Sequence, residues 1–329
     1  MEAEPGLRAT IGPEGLSSDV VATRLLADGT VIGLCLDAQA RRIDEITWLP
    51  GRTLSCRAIR LDAPVPEFPA AVSLADDVLL LADNEDGDLR LVDLQNGAVT
   101  VLSGAPGPAV LTGDGKHVIS VTETGLLLSD LRRVTGVARL YDIRPMLLAD
   151  FHDPGSLAIV PTPDPQRFRI IAGCFGHALI ASVRHLRPGP AQAELLRADT
   201  TGVMPYDNVS VAQPLTLATA WPQVYAFCTE WGRAALAAVD LVSGEVSGCP
   251  LPERDYGTIQ RCLSRLDGQA CLVTTKGGRL WQWQPHGTLI EITEMGGIPL
   301  LWQWGDVLVL DRDAGVLRQA STPVQDLDL

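Results

Sequence analysis

Cationic charge is in short supply in this chain. Lys and Arg total 26 against 40 Asp and Glu, which gives a net charge of −14 and a pI of about 4.7. Only Lys116 and Lys276 are lysines. A duplex-binding protein needs clustered cations to displace counterions, and anionic lipid repels an acidic surface. We therefore expect neither nucleic acid nor membrane as a partner. No stretch approaches the ~18 apolar residues that suggest a membrane span. The start, MEAEPGLRATIGPEG, has neither a basic nor an apolar leader region. The seven cysteines have no short paired spacing, and an odd count fits reduced thiols. These absences predict a cytoplasmic bacterial protein.

Several chemistries lose their usual signatures as well. The chain has no G-x-S-x-G elbow, no G-x-x-x-x-G-K-[ST] loop, no G-x-G-x-x-G, no H-E-x-x-H and no C-x-x-C. Rossmann hydride transfer, NTP hydrolysis and thiol redox chemistry are disfavoured, and no cofactor or metal is expected. Aromatic residues make up only 5% of a chain that is 46% hydrophobic. The core must be built from Leu, Val, Ile and Ala, side chains suited to sheets packed face to face.

What the chain does contain is a repeat. A short apolar strand, a tight turn and a second strand recur seven times, as in TVIGLCLDAQARRIDEI, VLLLADNEDGDLRLVDL and VLVLDRDAGVLRQA. The turn glycines of copies two to seven are Gly87, Gly125, Gly176, Gly232, Gly278 and Gly315, spaced by 38, 51, 56, 46 and 37 residues. A further glycine (Gly97, Gly136, Gly189, Gly244 or Gly287) follows in copies two to six. Units of this size that hold four strands are propeller blades. We expect an all-β fold, a single β-propeller domain over 1–329. Seven four-stranded blades near 19–63, 68–104, 108–143, 146–198, 209–251, 258–295 and 297–321 fit the pattern. A six-blade count with an irregular first blade is the alternative. Blade 7 lacks an outer strand, because STPVQDLDL (321–329) is polar and 322–329 reads as a tail. The strand-like segment 6–11 is expected to complete that blade and close the ring.

The stretches LVDLQNGAV, AVDLVSGEV and WQWQPHGTL resemble the strand–turn–strand units of the WD40/YVTN/quinoprotein-like β-propeller superfamily. That resemblance implies a shape and no particular chemistry.

Within a propeller, the turns between the second and third strands of each blade and the links between blades converge on one rim. Loops held by a rigid frame are favoured places for function. This rim is expected to collect Asp83, His177, Glu230, Trp231, Asp311 and Asp313 from the turns. Arg144, His152, Tyr206, Asp207, Arg254, Asp255 and Tyr256 are expected from the links. Asp83, Asp311 and Asp313 are also good turn formers, since Asp caps its own backbone. His152 and His177, with Asp207 and Glu230, form the candidate acid–base set. Tyr206, Trp231 and Tyr256 could stack on a ligand or anchor a partner, with Arg254, Asp255 and Asp311 as polar contacts. Cys35, Cys174 and Cys228 occupy similar points in three blades, too far apart for one metal, and read as packing residues. The Trp281/Trp283 and Trp302/Trp304 runs are expected in one seam between blades 6 and 7.

The leading functional expectation is a binding module that presents this rim to a protein or peptide partner. A cofactor-free lyase, cyclase, isomerase or hydrolase acting at the mouth of the central channel is the alternative. A sugar-binding lectin built on Trp231, Tyr206 and Tyr256 is a third.

Overall fold

A computed structural model describes residues 7–11, 15–17, 20–67, 69, 71–83, 88–102, 109–112, 114–122, 125–134, 137–147, 156–161, 167–174, 177–184, 192–199, 203, 208–211, 223–230, 233–252, 259–265, 269–275, 279–292, 295, 297–303 and 305–321. They form seven four-stranded antiparallel sheets, each in simple up-and-down order. Blade 1 runs Val20–Leu25, Val31–Asp37, Arg42–Leu49 and Thr53–Arg60; blade 2 runs Ala71–Ala75, Val78–Ala82, Leu89–Asp93 and Val99–Leu102. Blades 3 to 6 span Ala109 to Leu147, Ser156 to Asp199, Asn208 to Pro250 and Ile259 to Ile292. Blade 7 contains Ile298–Gln303, Asp306–Asp311 and Val316–Ser321, and its fourth strand is Arg8–Thr10. The pairing Arg8↔Arg318 and Thr10↔Val316 closes the ring, as the bare outer edge of blade 7 requires. The expected tail, 322–329, lies outside the described residues.

The sequence logic of a blade is a gradient from hub to edge. In blade 2 the second strand, VLLLA, is covered on both faces, and Leu79, Leu80 and Leu81 are fully buried. Each such side chain contributes about 1.5–3 kcal/mol of burial. Toward the edge the pattern turns polar. The outer strand of blade 1, TLSCRAIR, exposes most of its residues. Five apolar clusters together fill every seam of the ring, from Leu34 and Leu79 between blades 1 and 2 to Trp48 and Trp302 between blades 1 and 7.

Two expectations are corrected. The hairpin of blade 3 is longer than 108–143 implied, since Val137–Leu147 pairs with Gly125–Val134 across a register shift between Leu128 and Asp130. Arg144 therefore sits in an outer strand opposite Leu128, not in a link, and the first strand of blade 4 starts at Ser156. Pro145 is tolerated there because an outer strand leaves one edge unpaired. The tryptophans also divide between seams. Trp281 and Trp283 face blade 5, where Trp283 meets Tyr225 edge-on with centroids 5.9 Å apart. Trp302 belongs to the cluster joining blades 6, 7 and 1, with the Arg265 guanidinium 5.6 Å from its ring centre. Alternation set the common face of Trp281 and Trp283, but the facing blade depends on which strand of its own blade carries them. Trp304 lies outside the described residues.

The recurring glycine after the third strand has a packing cause at two positions. Gly97 (φ +77°) and Gly244 (φ +75°) adopt a left-handed conformation against the outer strand of the preceding blade. A Cβ at 97 would overlap the Arg60 carbonyl oxygen, and one at 244 would lie 3.2 Å from Leu196. The Asp62 amide donates to the Gly97 carbonyl (3.2 Å), and the Val99 amide donates to Asp62 Oδ1 (2.8 Å). Gly87, Gly136, Gly176, Gly189, Gly232 and Gly278 lie outside the described residues.

Candidate functional site

Strand direction places the turns between second and third strands, and the links between blades, on one rim. Between blades 7 and 1 that rim contains a cleft of about 330 Å³. Its lining comes from the segment joining the closing strand to blade 1 (Gly15, Leu16, Ser17), the blade 1 turn (Asp37, Gln39, Arg42), Glu67 in the next link, and Arg312 in the blade 7 turn.

The turn is built first by Asp37, whose Oδ1 accepts the Ala40 amide at 2.9 Å. Arg41 takes a positive φ of 49° and reverses the chain. Arg42 then enters the third strand pointing into the seam, where it is almost fully buried. Its Nε lies 3.1 Å from both carboxylate oxygens of Asp44, and its Nη2 donates to the Gly15 carbonyl at 3.0 Å. Asp37 Oδ2 stands 3.8 Å from the same Nη2. Burial pushes the Asp44 carboxyl up from its ordinary range; Arg42 and the Ser17 backbone oppose that shift, and Asp37 adds to it. The pair thus anchors the segment between closing strand and blade 1 as the floor of the cleft. At the mouth, Gln39 Nε2 donates to Glu67 Oε1 at 3.3 Å.

Asp311 occupies in blade 7 the place Asp37 holds in blade 1. Its Oδ1 accepts the Ala314 amide at 2.9 Å, which sets the turn that carries Arg312. His177 opens the third strand of blade 4, half-buried, its Cα paired with Cys174 and Asp199. Glu230 ends the second strand of blade 5, paired with Arg233. The backbones of His177, Glu230 and Asp311 therefore stand at the same rim, the first two in consecutive blades. Asp83 directly follows the second strand of blade 2, Val78–Ala82, its amide donating to the Asp88 carbonyl at 3.1 Å. His152, Tyr206, Asp207, Trp231, Arg254, Asp255 and Tyr256 lie outside the described residues. Among the described residues, no group of three or more His, Cys, Asp or Glu is placed to hold a metal ion.

Sequence reasoning missed the cleft residues Asp37, Gln39, Arg42, Glu67 and the 15–17 segment. One signal was available. In RIDEITW the charges at 42 and 44 share the face of Ile46 and Trp48, and two opposite charges on a buried stripe point to an internal ion pair.

The opposite rim is not featureless. His117, buried at the start of the second strand of blade 3, has Nδ1 3.4 Å from Asp114 Oδ1 and Nε2 3.6 Å from Asp130 Oδ1. The His117 contact, with bonds from Thr112 and the Lys116 amide, holds the Asp114 carboxyl well below its ordinary range against the opposing effect of burial. This cluster ties a turn to the third strand within one blade.

The molecule is thus a seven-bladed β-propeller. No protein-family model and no curated protein sequence matches the chain. Solved structures do match in fold. A protein assigned as a 6-phosphogluconolactonase from Bacteroides uniformis aligns with TM-score 0.52 and 14% identity, over 91% of this chain and 88% of that one. A catalytically inactive virginiamycin B lyase from Staphylococcus aureus, solved with quinupristin, aligns with TM-score 0.52 and 10% identity over 96% and 98%. At such identities the likeness is one of architecture. Among the described residues no helix is long and apolar enough to cross a membrane.

Proposed function

We propose that this chain is a cytoplasmic binding module that docks a protein or peptide partner on the rim carrying the cleft. The observation that supports this most is the convergence of loops from blades 7 and 1 and the following link on one charged recess with a rigid floor. Rigid presentation limits the loop entropy lost on association. The net charge of −14 favours a partner with a basic surface and speeds its encounter. The test is a purified complex mapped by cross-linking. Glu67→Lys on this rim should release the partner, and Asp76→Lys on the opposite rim should retain it. Equal retention by both variants would refute the reading.

A second reading, an enzyme acting at the channel mouth, is favoured by His177 and Glu230 standing at one rim in consecutive blades. That two structural neighbours bear the names of a lactonase and a lyase is in keeping with it. His152 and Asp207 complete the acid–base set in this reading. His177→Ala and Glu230→Gln should abolish turnover while leaving partner capture intact.

A further inference from the structure

We propose that the cleft between blades 7 and 1 is a subsite for a guanidinium or alkylammonium group, held by Asp37 and Glu67. The proposal deepens the partner-docking reading and rests on it: the group is the side chain through which a basic partner engages the rim.

The lining chemistry selects this ligand. Arg42 is the most deeply placed charge, but Asp44 matches it at 3.1 Å, so the buried pair contributes little net field. The lining sets Asp37 and Glu67 against Arg312 and Arg42, and with Arg42 matched by Asp44 the balance is one negative charge within a strongly acidic molecule. A recess with low-dielectric walls focuses such a field and concentrates cations. The carboxylates also keep acceptor capacity. Asp37 Oδ1 receives one amide, Oδ2 stands 3.8 Å from Arg42, and Glu67 Oε1 receives one bond from Gln39. A carboxylate offers about four lone-pair sites, and a guanidinium can engage one through two parallel bonds. A volume of about 330 Å³ accommodates a side-chain-sized group and not a large ligand. Gly15–Ser17, the floor of the cleft, belongs to the segment that follows the closing strand, so an occupant also braces ring closure.

The experiment is titration of the whole protein at low ionic strength, followed by calorimetry and thermal shift. The probes are butylguanidinium, its uncharged isostere butylurea, acetyl-Gly-Arg-Gly-amide, and the same peptide with citrulline. We expect saturable one-site binding and a raised melting temperature with both cationic probes, and neither effect with the neutral ones. The peptide binding tenfold or more tightly than butylguanidinium assigns the site to a partner side chain; the reverse order assigns it to a free small cation. Asp37→Asn with Glu67→Gln keeps an acceptor for Ala40 and for Gln39, so the turn survives. That double variant should weaken both cationic probes by tenfold or more, and Gln39→Glu should tighten them severalfold. Equal binding of butylurea, indifference to both variants, or no saturable binding of any cation overturns the proposal. In those cases, partner release by Glu67→Lys would still uphold docking on the rim.

Discussion

Replacing Gly97 with alanine measures how much the outer strands contribute to holding neighbouring blades together. The left-handed φ of +77° costs an L-residue about 1–2 kcal/mol. The new methyl group must also displace the Arg60 carbonyl oxygen, which parts the two blades and strains the Asp62–Gly97 bond of 3.2 Å. Losing one such bond adds about 0.5–1.5 kcal/mol, so the total is about 3 kcal/mol. Gly51 is the internal control: its φ is +68°, yet nothing lies within 4 Å of a Cβ built there. Gly51→Ala should carry the backbone cost alone, about 1 kcal/mol. An unfolding entropy of about 2.1 cal/mol/K per residue over 329 residues makes these shifts ~4 °C and ~1.5 °C in Tm. Buried Trp48, Trp281, Trp283 and Trp302 report the transition by fluorescence, and calorimetry at several scan rates checks reversibility. Equal shifts for the two variants would show that the blade-to-blade contact at Gly97 carries no stability.

Three further outcomes follow from the same structure. Arg42→Met leaves Asp44 buried without its cation and should cost about 3–5 kcal/mol in denaturant unfolding. Because burial already raises the folded-state Asp44 carboxyl above 3.8, its ionisation opposes folding as pH rises through the folded value. Arg42→Met should therefore regain stability on acidification toward pH 4, where wild type gains less; a parallel profile would contradict this. Asp114 behaves in the opposite sense. Its folded-state carboxyl is lowered, so its contribution is present above the ordinary 3.8 and is lost as pH falls through the folded value. Asp114→Asn should flatten the acid limb of stability against pH, and an unchanged limb would remove His117 as the cause. Cys56 lies on an exposed outer strand, where desolvation and the Asp44 and Glu45 carboxylates push its thiol up to about 11. Its alkylation at pH 8, read by mass spectrometry against Cys56→Ser, should be about tenfold slower than that of an ordinary thiol near 9, since the smaller thiolate fraction is partly offset by greater nucleophilicity.

The blades were legible because their causes are local. An apolar run such as VLLLA followed by a turn and a polar edge strand describes one blade without knowledge of the rest. Arg8–Thr10 could be anticipated as the closing strand because blade 7 had an edge to cover and 6–11 was apolar enough to cover it. The rim could be drawn too, since strand direction alone sorts its turns. The cleft could not, because its walls come from residues 15–17, 36–39, 42, 67 and 312, which only the closed ring brings together. The blade 1 turn also escaped the glycine pattern, because Arg41 takes the positive φ there. The tryptophan runs showed the same boundary. Period-two alternation gave a common face to Trp281 and Trp283, but the neighbour across that face is a property of the assembled disc.

The pairing of Arg8 with Arg318 has a consequence for how this molecule comes off the ribosome. The strand needed last is made early, and its partner follows 310 residues later (318 − 8). At roughly 5–20 residues per second, the nascent amino-terminal strand waits on the order of 15–60 s for a mate. Throughout that interval blades 1 to 6 can stack as an open arc with a bare flank at blade 1, including the apolar surface of Ile46 and Trp48. Anything that shields this flank during synthesis raises the yield of closed rings, and a fused copy of residues 1–19 placed after blade 7 would let a segment made after that blade close the circle.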